Sequence, residues 1–199
     1  INFVPSSGRL ISETAVPHRD LGGVHFTGST AVFRGLWQSI AENLAGYKAF
    51  PRLVGETGGK DYVLVHSSAP VPETVTALVR GAFEYQGQKC SAASRAYIPE
   101  SLWDEIRTGL ENDIGRIKIG DPEDFSVFMN ALIDKKSFDG TMEAIKNAEA
   151  SEDAEVIIGG TGDSSTGYFI EPTVILAKDP RYVTMEEELF APVLTVYVY

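Results

Sequence analysis

The chain has 199 residues, 43% hydrophobic and 23% charged, enough for one sizeable domain or one domain plus part of another, and too apolar for wholesale disorder. Seventeen basic residues against 28 acidic ones give a net charge of −11, the wrong sign for tracking phosphates, so no nucleic-acid partner is expected. No apolar run reaches the roughly 18–20 residues of a membrane-spanning helix, so no membrane partner is expected. One cysteine excludes an intrachain disulfide and a multi-cysteine zinc site, and His18, His25 and His66 lack metal-ligand spacing, so no metal is expected either. Residue 1 is Ile rather than Met, and Val193 to Tyr199 read as a strand with no terminator. Both ends suggest a piece of a longer chain.

In chain order, Gly22 to Phe26 form a short strand leading into Thr27-Gly28-Ser29-Thr30. A helix follows with Phe33, Leu36, Trp37, Ile40 and Leu44 on one face and Gly46 as its stop. Strands at Arg52–Val54 and Tyr62–Val65 flank a turn-like stretch, Gly55 to Lys60. Pro72 to Tyr85 read as a helix, with Val75, Leu78, Val79, Ala82 and Phe83 inward and Pro72 in the first turn, where a missing N–H costs nothing. The stretch Gln86 to Ser91 breaks that pattern before a strand at Arg95–Ile98. Ser101-Leu102-Trp103-Asp104 resembles a capping box opening a helix with Leu102, Ile106, Leu110 and Ile114 inward. A further helix spans Asp134 to Ala150. Short strands at Glu155–Ile158, Thr173–Leu176 and Thr195–Tyr199 follow, with a Gly/Ser-rich loop from Gly159 to Gly167. Strands alternating with helices predict an α/β fold with a largely parallel sheet.

Three places could carry chemistry. A thiol is the strongest neutral-pH nucleophile available once a base or a lowered pKa assists it. Cys90 is the single candidate, and the alternative is an inert packing thiol, although Gln88, Lys89 and Ser91 are odd neighbours for one. Glu56, among Gly55, Gly58 and Gly59, reads either as a general base or as a solvent-facing turn glutamate. The same stretch fails as a phosphate loop, because GxxxxGK[ST] needs Gly at Val54 and Ser or Thr at Asp61. Thr27 to Thr30 lie between a strand and a helix start, where N–H groups and hydroxyls either bind an anion or simply cap the helix. No GxGxxG occurs. Glu186 to Glu188 read as a solvated charge run, and Trp37 and Trp103 as core.

Taken together, four collinear motifs resemble the aldehyde dehydrogenase superfamily. Phe26-Thr27-Gly28-Ser29 is similar to its cofactor turn and Glu56-Thr57-Gly58-Gly59-Lys60 to its general-base motif. Gly87-Gln88-Lys89-Cys90 is similar to its nucleophile motif, and Glu187-Glu188-Leu189-Phe190-Ala191-Pro192 to its nicotinamide-ribose motif. Phe83 to Ala92, Arg116 to Pro122 and Val193 to Tyr199 narrow the likeness to the branch that oxidises L-glutamate γ-semialdehyde with NAD in mitochondrial proline catabolism. The resemblance covers essentially the whole chain. It implies a three-layer α/β sandwich, with residues 1–54 ending the NAD-binding domain and 55–199 forming most of the catalytic domain. It further implies Cys90 as nucleophile, Glu56 as the base that activates water, Ser29 at the cofactor pyrophosphate, Glu188 at the ribose and Phe190 beside the nicotinamide. Lys89 and Ser91 would line the aldehyde pocket, and Lys89 would favour the thiolate. A small aldehyde substrate, a homo-oligomeric parent protein and the mitochondrial matrix are implied as well.

The chain departs from the family pattern at Ala191, where glycine is common. The family's Asn oxyanion donor, its adenosine-ribose grip, its amino-acid anchor loop and its oligomerisation segments would lie outside this sequence. The 199-residue piece alone is therefore expected to be inactive.

Overall fold

Alternating side chains along the central strands dictate the layering of most of the molecule. In the computed structural model, which describes residues 2–199, the chain forms two compact units, Ile1–Gly58 and Gly59–Tyr199.

The first unit opens with a helix the periodicity reading passed over, α1 (Gly8–Ala15), whose N-cap Ser7 accepts the Leu10 N–H. Strands β1 (Gly23–Thr27) and β2 (Arg52–Glu56) pair in parallel, from Gly23 opposite Arg52 to Thr27 opposite Glu56. Helix α2 (Thr30–Glu42) and a single 3-10 turn (Leu44–Gly46) connect them. The turn expected from Gly55 onward begins later, because β2 continues through Gly55 and Glu56 and keeps both in this unit. Of the expected inward face of α2, Ile40 is buried, whereas Trp37 is 57% exposed. Its indole meets the Phe33 ring edge-on at 5.7 Å, and Phe33 stacks on Phe26. Trp37 is therefore not core within this chain; helical spacing marks an apolar stripe without saying whether anything covers it.

The second unit is built on a five-stranded sheet in the order β3 (Asp61–Leu64), β4 (Ala93–Ile98), β9 (Val193–Val198), β8 (Thr173–Ala177), β5 (Ala154–Ile158). All neighbours are parallel except β5, which runs antiparallel to β8. Successive side chains of a strand point to opposite faces. On β8 and β9, Val174, Leu194 and Val196 join one core with α3 (Val71–Phe83) and α4 (Glu100–Ile114), through Leu78, Phe83, Ile106 and Leu110. Ile175 and Val193 join a second core with Ile145 and Ala148 of α5 (Lys135–Glu149). Helices on both faces of the sheet make a three-layer α/β sandwich.

Three details differ from expectation. Helix α4 begins one residue before Ser101 and has no side-chain cap; its N-cap is Pro99, leaving β4 in extended conformation. The Glu100 N–H donates instead to the Tyr199 carbonyl (2.8 Å), so a neighbouring strand end does what a capping hydroxyl would. Within the Gly/Ser-rich loop β6 (Gly162–Asp163) forms a minimal hairpin with β7 (Phe169–Ile170), which follows the loop. One-turn helix α6 (Val183–Glu186) precedes β9 and was also unforeseen.

Candidate active site

In the second unit, α3 ends at Phe83 and the chain doubles back through a 3-10 turn, Glu84–Gly87. Tyr85, Gln86 and Gly87 all take left-handed φ values (56°, 57° and 64°), a conformation that costs side-chain-bearing residues about 1 kcal/mol each. Buried Gln86 is held by its side-chain oxygen, which accepts the Asn130 N–H at 3.0 Å. Gly87 has no alternative residue, since a Cβ there would lie 2.4 Å from the Ala191 carbonyl oxygen. A reverse turn closed by the Ala92 N–H on the Lys89 carbonyl (3.1 Å) follows, with exposed Cys90 and Ser91 at its corners. Behind it lies Gly59, where a Cβ would come within 2.7 Å of the Cys90 carbonyl oxygen. The thiol thus sits on a turn whose backbone is fixed from two sides. Within this chain it is exposed rather than packed in a core.

Lys89 is committed elsewhere. Its ammonium pairs with Glu84 (2.8 Å), which Arg80 also contacts, and these partners, the Lys89 hydrogen bond first, hold the Glu84 carboxyl below its ordinary range. A paired ammonium exerts a reduced field on a neighbouring thiol, which weakens the electrostatic role expected for it.

The acidic run after α6 is only partly a solvated face. Glu186, Glu187 and Glu188 are all exposed, but Glu188 also accepts the Gly59 N–H at 3.1 Å through Oε1. Gly59 therefore touches the Cys90 turn on one side and Glu188 on the other. Phe190 is 41% exposed and has a left-handed φ of 55°. Ala191, the departure from the glycine pattern, is buried against the α5-side core and lies outside the left-handed region, so its methyl group is accommodated. Sequence reasoning missed two participants. Lys60 is pushed down to about 8, mainly by burial and next by the charge of Arg95, with Glu188 opposing. Arg95 donates to the Lys60 and Met185 carbonyls, both at 3.1 Å. Lys60 closes the Glu56–Lys60 motif and was legible there; for Arg95 the sequence carries no signal beyond its place in a strand.

In the first unit, Ser29 is the N-cap of α2, its hydroxyl accepting the Val32 N–H at 3.3 Å. The Gly28 N–H donates to the Glu56 carbonyl (3.0 Å), which ties the Thr27–Thr30 turn to the end of β2. Glu56 is an exposed strand-end carboxylate rather than a residue in a glycine turn. Both motifs lie at the carboxyl ends of parallel strands, the edge at which open α/β sheets place ligands. Each unit thus collects its own set: Ser29 with Glu56 in the first, and Lys89, Cys90, Ser91, Glu188 and Phe190 in the second. Among the described residues no group of three or more His, Cys, Asp or Glu side chains is placed to hold a metal ion, and no helix is long and apolar enough to cross a membrane.

The sequence profile of the aldehyde dehydrogenase family matches residues 1–199. The chain belongs to the aldehyde dehydrogenase family. It is similar to the mitochondrial Delta-1-pyrroline-5-carboxylate dehydrogenase of Dictyostelium discoideum, 55% identical over 201 residues, covering 100% of this chain and 36% of that one. Its counterpart in Homo sapiens is 48% identical over 200 residues, with the same coverage. Among solved structures, the Mycobacterium tuberculosis pyrroline-5-carboxylate dehydrogenase bound with NAD superposes with a TM-score of 0.91 at 45% identity, covering 98% of this chain and 35% of that one. The Thermus enzyme with bound NAD also gives 0.91, at 28% identity over 98% of this chain and 37% of that one. The chain spans just over a third of the length of these curated relatives. Its three-layer sandwich is the aldehyde dehydrogenase fold of these neighbours, represented in part.

Proposed function

We propose that this chain is a segment of an NAD-dependent enzyme that oxidises L-glutamate γ-semialdehyde, formed from Δ1-pyrroline-5-carboxylate, to L-glutamate in mitochondrial proline catabolism. The first unit is the end of the NAD-binding domain and the second most of the catalytic domain. The observation that carries this reading is the convergence on Gly59: it backs the Cys90 turn while its N–H holds Glu188, so a nucleophile and a cofactor ligand share one anchor. Identities of 45–55% to pyrroline-5-carboxylate dehydrogenases over the whole chain support the substrate.

The residues present fit NAD. The α2 N-terminus offers a hydroxyl and backbone N–H groups to a pyrophosphate at Ser29, Glu188 offers a fixed carboxylate to ribose hydroxyls, and exposed Phe190 offers a ring face to the nicotinamide. When bound, NAD supplies a hydride acceptor. The protein's own groups do the rest. The Cys90 thiolate forms a C–S bond to the aldehyde carbon while the carbonyl π pair moves to oxygen, where the Cys90 N–H is one donor to the oxyanion. At the thioester stage Glu56 takes a proton from water, whose oxygen attacks the acyl carbon; the C–S bond breaks, glutamate leaves and the thiolate returns. Lys89 and Ser91 line the aldehyde pocket, with Lys89 acting as part of its ion pair with Glu84. The full-length protein is a homo-oligomer of the mitochondrial matrix, and the isolated 199-residue chain is inactive.

Alkylation of the full-length protein with iodoacetamide at neutral pH tests the role of Cys90. Modification there, in step with loss of NADH formation and slowed by bound aldehyde, is the expected result. A Cys90 that resists alkylation, or full activity after its modification, would sink the proposal.

A further inference from the structure

Besides the bond from the Gly59 N–H to Glu188 itself, two bonds made by α6 hold the segment that carries Glu188. In α6, the Thr184 hydroxyl meets that of Thr195 on β9 at 2.8 Å, and both side chains are buried. The next residue, Met185, offers its carbonyl to Arg95 of β4 at 3.1 Å through Nη1. The same guanidinium uses Nε on the Lys60 carbonyl, also at 3.1 Å, and lies over the Tyr62 ring at 5.6 Å. On β4, Ala96 and Ile98 join the core under α3 and α4, so alternation sends Arg95 to the opposite face, where α6 lies. Arg95 therefore joins two backbone segments that must stay in fixed relation: Gly59–Lys60, whose N–H holds the Glu188 carboxylate, and α6, from which Glu188 extends.

We infer that Arg95 is a positioning residue for cofactor binding: its two-pronged bond to the Lys60 and Met185 carbonyls sets where the Glu188 carboxylate stands beside the Cys90 turn. This rests on the reading of Glu188 as the ribose ligand. A planar guanidinium can span two carbonyls in a fixed fork, whereas a lysine ammonium at the end of a flexible stem serves as a point charge. Arg95 begins only a short way after Cys90, on the strand the nucleophile turn feeds, so the fork also references Glu188 to the nucleophile. The opposing influences of Arg95 and Glu188 on the partly buried Lys60 ammonium reflect the same crowding of charge around this point.

The test compares Arg95→Lys, Glu188→Gln and the double variant in the full-length protein. Readouts are KM and dissociation constant for NAD, KM for the aldehyde, and the rate of Cys90 alkylation. Arg95→Lys is expected to raise both NAD constants about tenfold while leaving aldehyde KM and Cys90 alkylation within about twofold. The double variant is expected to bind NAD no more weakly than Glu188→Gln, because Arg95 acts through that carboxylate. Unchanged NAD constants, an equal rise in both KM values, or fully additive losses in the double variant would overturn the inference. If Glu188→Gln alone leaves NAD binding intact, the ribose reading fails, a result independent of what Arg95→Lys does. Should Arg95→Lys not fold, Arg95→Gln, which keeps one donor group, and Thr184→Val, which cuts the other anchor of α6, carry the same comparison. Thr184→Val should weaken NAD binding in the same selective way, and wild-type NAD constants in both variants would overturn the inference equally.

Discussion

Cys90 faces solvent at the corner of a turn, and Glu56 ends a strand with its side chain exposed; neither carboxylate nor thiol is spent on structure. If Glu56 serves only the hydrolytic half of the reaction, Glu56→Gln should give a rapid, roughly stoichiometric burst of NADH followed by a stall, because acyl-enzyme accumulates. Stopped-flow absorbance checks this, and a variant with no burst would assign Glu56 an earlier role. Lys60 carries a different kind of prediction. Its folded pKa of about 8 lies below the ordinary 10.5, so the folded protein sheds this proton first. Below pH 8 both states hold the proton and the cost of burying the charge is fully present. Between about 8 and 10.5 the unfolded chain binds more protons, and stability from this group rises with pH. Lys60→Met should therefore be more stable than wild type at pH 7, by about 2 kcal/mol, with the advantage shrinking toward pH 10. Urea midpoints across that range give the answer; a pH-independent difference would contradict it. The residues proposed for the site, Cys90, Glu56, Ser29, Glu188 and Phe190, all fall in short sequence motifs and are readable there as candidates. Arg95 is not, since its function lies in bonds to the backbone of segments far away in the chain.

Among the elements, the left-handed run at Tyr85–Gly87 is the most constrained, pinned by Gln86 below and by the Ala191 backbone beside Gly87. Gly87→Ala adds a methyl group 2.4 Å from a carbonyl oxygen at a φ of 64°. The cost should be about 2–4 kcal/mol, a drop in melting temperature of roughly 5–10 °C, together with at least a tenfold fall in kcat/KM as the Cys90 turn shifts. Thermal unfolding and steady-state rates measure both, and a variant with wild-type values would mean the turn is more yielding than its geometry indicates. Long periodic helices were legible at this scale: α3 and α5 begin and end within a residue or two of their patterns, and Asp134 caps α5 by accepting the Ser137 N–H. Short or borrowed features were not. Helix α6 is a single turn without room for periodicity, and α4 takes its first acceptor from the end of β9, which no local pattern encodes. Trp37 misled for a related reason, as an apolar stripe predicts a contact face whether or not the partner is in the sequence.

At the scale of the molecule, the α/β class followed from alternating strands and helices, and the three layers follow from side chains that divide between two cores across one sheet. Strand order was beyond the sequence. The chain's last strand, β9, sits in the middle of the sheet between β4 and β8, a pairing set by long-range packing. That placement brings α6 and Glu188 beside the nucleophile turn, so the topology itself assembles the proposed site. What remains specific to this protein is its aldehyde. The decisive measurement is kcat/KM of the full-length protein, followed by NADH formation, for L-glutamate γ-semialdehyde against succinate semialdehyde and a simple alkyl aldehyde. A preference of at least about tenfold, or ~1.4 kcal/mol in the transition state, is expected for L-glutamate γ-semialdehyde. Equal rates on all three would contradict the assigned substrate while leaving Cys90 as nucleophile, and no turnover of any would contradict the enzyme itself.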